Sequence, residues 1–172
     1  MAQALRLAVQ AGGDEELLRM ARLLIVSHCP SPHTRAMTEA VLRGARNPDL
    51  GSHEVRFAAP LESGAQDVLW AEGVILGTTE NFGYMSGAMK DFFDRVYYPC
   101  QERTAGLPWA LFIRAGNDGR GALSSIERIV TGLAWRRVQP PLLCRGAWDE
   151  EWLTDCEELG MTVMAGLDAG VY

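Results

Sequence analysis

Three short, unbroken apolar runs recur along this chain: Leu23-Leu24-Ile25-Val26, Gly73-Val74-Ile75-Leu76 and Trp109-Ala110-Leu111-Phe112-Ile113. Each leads into a polar, glycine- or proline-containing loop and then into apolar residues at helical spacing. A continuous branched run, without alternation, suits a strand buried on both faces, as parallel strands are when helices cover the sheet above and below. Strand, loop and helix repeated in this order imply right-handed crossovers and a parallel sheet.

The helical stripes are Met37, Ala40, Val41 and Gly44; Met89, Phe92, Phe93 and Val96; Ile126, Ile129, Val130 and Leu133; and Trp152, Cys156, Leu159 and Val163. Their i, i+3, i+4, i+7 pattern predicts core-facing helices. Asn47-Pro48 stops the first, Ser86 caps the second, and Tyr97-Tyr98-Pro99 ends it. A short helix is expected around Ala65 to Trp70. Val55 and Phe57 alternate with Glu54 and Arg56, as on a half-exposed edge strand. Pro140-Pro141 before Leu142-Leu143 places a second strand at the opposite edge, where missing amide donors do little harm. The expectation is an α/β three-layer sandwich with a five-stranded parallel sheet of order 2-1-3-4-5. Residues 21–172 would form this domain and residues 1–20 an N-terminal extension.

In such a sheet the switch point lies between strands 1 and 3, so ligands meet the loops after strands 1, 3 and 4. The loop Ser27-His28-Cys29-Pro30-Ser31-Pro32-His33-Thr34-Arg35 precedes a helix N-terminus, where amides and the dipole attract a phosphate; an ordinary N-cap reads the same residues equally well. Gly77-Thr78-Thr79-Glu80-Asn81-Phe82-Gly83-Tyr84-Met85-Ser86-Gly87 is long and polar enough to wall a flat ligand. Phe82 and Tyr84 there suit either stacking on a ring or, for Phe82, core packing. Gly116-Asn117-Asp118-Gly119-Arg120-Gly121 would let a ligand edge approach the backbone.

Composition narrows the partners. Sixteen Lys and Arg against 22 Asp and Glu give a net charge of -6, the wrong sign for a general nucleic-acid or anionic-membrane surface. No apolar run approaches the roughly 20 residues of a membrane span, and no secretory leader is expected, so a cytoplasmic protein with a small-molecule partner is the reading. Cys29, Cys100, Cys144 and Cys156 form no Cys-x-x-Cys pair, so idle thiols are expected and no metal site. A receiver domain needs an Asp at the end of strand 3, where Gly77-Thr78 stand. A dinucleotide fingerprint needs Gly-x-Gly-x-x-Gly after strand 1, and Gly116-x-x-Gly119-x-Gly121 has neither that spacing nor that place.

Leu23 to Ala45, Gly73 to Val96 and Trp109 to Leu133 resemble the flavodoxin-like FMN-binding, NAD(P)H-dependent oxidoreductases. The branch is that of quinone reductases of the tryptophan-repressor-binding-protein type and their NADPH-dependent FMN reductase relatives. Gly77-Thr78, Asn81-Phe82-Gly83, Met85-Ser86-Gly87 and Lys90-x-Phe92-Phe93-Asp94 carry the resemblance most specifically, within a similarity covering most of residues 22–165. The resemblance implies that Cys29, Ser31, His33, Thr34 and Arg35 hold the FMN phosphate. It implies that Thr78, Thr79, Glu80, Asn81, Phe82 and Gly83 contact the isoalloxazine ring, with Ala115, Gly116, Asn117 and Gly119 at its pyrimidine edge. It further implies NADH or NADPH as electron donor, a quinone or similar acceptor, and a dimer or tetramer. Arg35, Arg103 and Arg120 are candidates for the nicotinamide phosphates.

The chain departs from the family where Cys29 replaces a usual Ser and Pro32 a usual Gly. Pro30 and Pro32 both lack an amide hydrogen, so phosphate affinity is expected to be reduced or shifted onto side chains. Two other readings stay open: a flavodoxin-type electron carrier, and a binding domain that keeps the fold with weakened FMN affinity. No catalytic side chain is assigned, because the flavin carries the chemistry.

Overall fold

The computed structural model describes residues 20–172; the expected extension over residues 1–20 therefore lies, apart from Met20, outside the described residues. β1 (Arg22–Ser27) leads to α1 (Pro32–Ala45), a 3-10 turn (Pro48–Leu50), β2 (Glu54–Ala58) and α2 (Ala65–Trp70). β3 (Gly73–Asn81), β4 (Tyr84–Met85) and α3 (Gly87–Cys100) follow, then β5 (Pro108–Ala115), α4 (Arg120–Gly132), β6 (Arg136–Arg137), β7 (Leu142–Arg145) and α5 (Glu151–Asp168).

β2, β1, β3 and β5 pair in that order, all parallel, and β7 completes the sheet beside β5. In strand positions this is 2-1-3-4-5, as expected. The fifth position is divided: β6 pairs with Pro108 and Trp109, β7 with residues Phe112 to Ala115. Pro140 and Pro141 between them cannot donate to a ladder, which interrupts the edge strand.

Alternate residues of the central strands enter opposite cores, the period-2 rule applied to strands covered on both faces. Leu24, Val26, Val74, Leu76, Leu111 and Ile113 pack with Val68 of α2, Phe92, Phe93 and Val96 of α3, and Ile126 and Val130 of α4. Leu23, Ile25, Ile75, Ala110 and Phe112 pack with Met37, Ala40 and Val41 of α1 and Cys156, Val163 and Met164 of α5. Each such large apolar side chain contributes about 1.5–3 kcal/mol by leaving water. The helix after β1 thus covers one face and the helix after β3 the other. In sheets of this order ligands bind at the carboxyl ends of these two strands.

Two local expectations need correction. α3 runs to Cys100 rather than ending at Tyr97-Tyr98-Pro99. Pro99 sits in the last turn, where its missing amide costs one helical bond, and fully buried Val96 and Cys100 hold that turn to the core. Residues 77–87 are not one loop. β3 continues through Asn81 and turns back into β4, with Glu80 opposite Met85 and Asn81 opposite Tyr84.

Candidate functional site

β1 ends level with Gly77 of β3, the last register pair being Ser27 with Gly77. Thr78, Thr79, Glu80 and Asn81 therefore run past the end of β1 beside the start of the first loop, Thr78 and Thr79 still paired with Ile113 and Arg114 of β5. A side chain at Gly77 would overlap the Phe112 ring and the Ser27 hydroxyl, so glycine is what lets the strands close there. The His28 amide donates to the Gly77 carbonyl at 2.9 Å, tying the first loop to β3. Burial pushes the His28 imidazole below its usual pKa.

The first loop ends in a capping box. The Thr34 amide donates to Ser31 Oγ (3.2 Å), and the Ser31 amide donates to Thr34 Oγ1 (3.0 Å). The Thr34 hydroxyl donates to the Ser31 carbonyl (3.0 Å), so both hydroxyls expected at a phosphate already stabilise α1. With proline at 30 and 32, the amides of Cys29 and His33 are those without a hydrogen bond here among the described residues. Cys29 is half-buried, while His33 and Arg35 are exposed.

The hairpin turn is Phe82-Gly83, and both residues have positive φ, 52° and 68°. That is the two-residue turn whose twist matches antiparallel strands, usually made with Asn or Gly at its first position. Phe82 is fully exposed (108%), which settles its alternatives in favour of a projecting aromatic ring rather than a core one. Exposed Tyr84 stands behind it on β4.

Contacts with α4 hold the hairpin. The amides of Gly119 and Ala122 donate to the Glu80 carboxylate at 3.3 and 3.2 Å, so a residue expected at the ring caps the N-terminus of α4. The Met85 amide donates to Ser125 Oγ at 3.2 Å. A Cβ at Gly121 would overlap the Gly83 carbonyl, so the turn and α4 touch backbone to backbone. Thr78 is likewise engaged: its hydroxyl donates to the Thr79 carbonyl (2.9 Å) and accepts from the Ser86 amide (3.1 Å). Thr79 differs. Its Oγ1 is buried and has no hydrogen-bond partner among the described residues, a state that costs about 1–3 kcal/mol unless a ligand completes it.

In the third loop, Gly116 and Asn117 are exposed, and a Cβ at Gly116 would meet nothing within 4 Å, leaving open space beside the backbone. Gly119 takes φ 72° as the N-cap of α4. Ala115 is buried beneath it, and its carbonyl accepts from the Gly146 amide at 2.9 Å.

A fourth loop, after β7, was not among those expected to matter. Trp148 lies flat on His33, ring centroids 3.9 Å apart and planes within 4°. Trp152 meets Trp148 edge-on at 5.5 Å, and the Arg114 guanidinium lies 5.1 Å from the Trp152 ring. Nothing in the sequence near Gly146-Ala147-Trp148-Asp149 announces this, because the partner residue is distant along the chain. A cavity of about 580 Å³ lies elsewhere, lined by α1, the 3-10 turn and Glu157 of α5, with Arg43 and Glu157 of its lining paired at 3.2 Å.

A β3–β4 hairpin, a helix N-terminus and a glycine loop gathered at the switch point of a 2-1-3-4-5 sheet define a flavodoxin-like α/β protein. The chain belongs to the NADPH-dependent FMN reductase family, whose model matches residues 2–142. It is 33% identical over 114 residues to a flavodoxin of Aquifex aeolicus, covering 66% of this chain and 60% of that protein. It is 28% identical over 134 residues to an NAD(P)H dehydrogenase (quinone) of Acidithiobacillus ferrooxidans, covering 66% of each. The matches thus span less than two thirds of either relative's length. In fold it is similar to a flavodoxin from the domain Archaea (TM-score 0.72, 20% identity, 85% of this chain and 98% of that one). It is similar too to a flavodoxin, WrbA-like protein of Agrobacterium tumefaciens (TM-score 0.67, 16% identity, 87% and 98%). No described helix is long and apolar enough to cross a membrane.

The residues present fit a flat ligand with a phosphate tail. The unpartnered Thr79 hydroxyl, the open backbone at Gly116 and the projecting Phe82 suit a ring; the Cys29 and His33 amides at the start of α1 suit an anion.

Proposed function

We propose that this chain is an FMN-dependent NAD(P)H oxidoreductase that moves hydride from NADH or NADPH to a quinone or similar small acceptor. The observation that carries the reading is the β3–β4 hairpin, with its orphaned Thr79 hydroxyl at the base and exposed Phe82 at the tip, in a chain of this family. FMN, when bound, would supply a ring able to accept a hydride and pass it on.

In this reading Thr79 donates a hydrogen bond to the ring edge, while Gly83 and Gly116 let backbone come close to it. Phe82 shields one side of the ring from water, and Asn81 and Asn117 offer amide groups along its rim. The Cys29 and His33 amides and the Arg35 side chain hold the phosphate. Glu80, Thr78, Ser31 and Thr34 act one step back: they fix the hairpin and the helix start that carry the contacting groups. The same reading makes the protein a cytoplasmic dimer or tetramer.

The test is NADH and NADPH oxidation by the FMN-loaded protein, with and without a simple benzoquinone. Quinone-dependent turnover is expected. A second reading, a flavodoxin-type carrier, is favoured by the match to the Aquifex aeolicus flavodoxin. Bound flavin that neither nicotinamide reduces, but a reductase partner does, would select it.

A further inference from the structure

Pro30 and Pro32 remove two amides from the loop after β1, and the Ser31–Thr34 capping box engages both hydroxyls. The loop is short of donors where an anion would sit. His33 occupies the second position of α1, is exposed, and nevertheless has a fixed ring because Trp148 lies flat against it at 3.9 Å. Trp148 is itself fixed: its indole N–H donates to Glu150 at 2.6 Å and Trp152 abuts it edge-on. Besides what the stack adds to the packing of Trp148 against the core, it pre-organises an exposed imidazole for a ligand.

We infer that at His33, a position the resemblance already puts at the flavin phosphate, it is the imidazole that donates, in place of the amides lost to proline, and that Trp148 is its positioning residue. The inference rests on the flavin reading above and adds a residue from the loop after the fifth strand, outside the three loops at the switch point. It makes the phosphate, rather than the ring, the part of FMN that this pair recognises. Discrimination between FMN and riboflavin should therefore depend on it.

The experiment titrates the apoprotein with FMN and, separately, with riboflavin, following flavin fluorescence. The wild type should prefer FMN. His33→Phe keeps an aromatic ring on Trp148 at an exposed position but has no N–H; it should weaken FMN binding by roughly ten- to a hundredfold, the value of a hydrogen bond to a charged group, and leave riboflavin unchanged. Trp148→Leu should lower the FMN preference by about two- to tenfold, the value of a lost stack, and add nothing once His33 is replaced. Trp148→Phe should restore the preference, which keeps the test decisive if the leucine variant folds poorly. An unchanged FMN preference in His33→Phe overturns the inference, and loss of preference in His33→Phe but not in Trp148→Leu removes Trp148 from it. A wild type binding riboflavin as tightly as FMN refutes the His33–Trp148 inference alone. Failure to bind either flavin refutes the flavin reading as well.

Discussion

Phe82→Asn separates what the hairpin tip costs from what it does. Phe82 holds φ 52° beside Gly83 at 68°, and a left-handed backbone costs an ordinary L-residue about 1–2 kcal/mol. Asparagine tolerates that region and is the favoured first residue of this turn. Because Phe82 is fully exposed, its replacement gives up no buried apolar area. The substitution should stabilise the apoprotein by about 1 kcal/mol, which for a domain of this size raises Tm by about 2–4 °C. Flavin binding should move the other way, since losing an aromatic contact with the ring is worth roughly 0.5–1.5 kcal/mol and affects FMN and riboflavin alike. Thermal melts of the apoprotein, paired with titrations of both flavins, give the two numbers. A lower Tm would refute the strain argument. A higher Tm with unchanged affinity for both flavins would remove Phe82 from the site.

Other perturbations probe the supports. Gly121→Ala puts a methyl group against the Gly83 carbonyl and should destabilise by about 1–3 kcal/mol, the cost of overpacking, measured as a drop in denaturant midpoint with flavin affinity falling in parallel. Of the four thiols, Cys29 alone is half-buried. It should react with an aqueous thiol reagent in the native protein while the other three wait for unfolding, Cys100 because burial raises its thiol and Cys156 because its hydrogen bond to Cys144 and burial raise it far above the usual range. His28 is lowered from 6.5 by burial, so between its folded and unfolded values the unfolded chain binds more protons. Its contribution to stability is present above about pH 6.5 and is lost as pH falls from that unfolded value through the lower folded one. His28→Gln should flatten the pH dependence of the midpoint there.

The sheet order and helix faces were legible because each depends on a periodic pattern: doubly buried runs at Leu23–Val26 and Trp109–Ile113, and stripes such as Met89-Phe92-Phe93-Val96. The hairpin was hidden. Phe82-Gly83 lacks the Asn-Gly signature of its turn, and Thr78 to Asn81 carry no apolar alternation, since their strand is set by α4 through Glu80, Ser125 and Gly121. The same contacts engage Glu80, a residue expected at the ring, at the N-terminus of α4. Loop 1 is legible as the turn into α1, and the spacing of Ser31 and Thr34 already permits the capping box that engages its hydroxyls. The His33–Trp148 stack joins residues from opposite ends of the domain, and only the folded chain brings them together.

The central claim is that these loops hold FMN and present it to a nicotinamide donor. Titrating the apoprotein with FMN and then adding NADPH without oxygen, while recording the flavin absorbance, tests it most directly. One FMN bound per chain and bleached by NADPH is the predicted result. A protein that takes up no flavin at micromolar FMN would contradict the account.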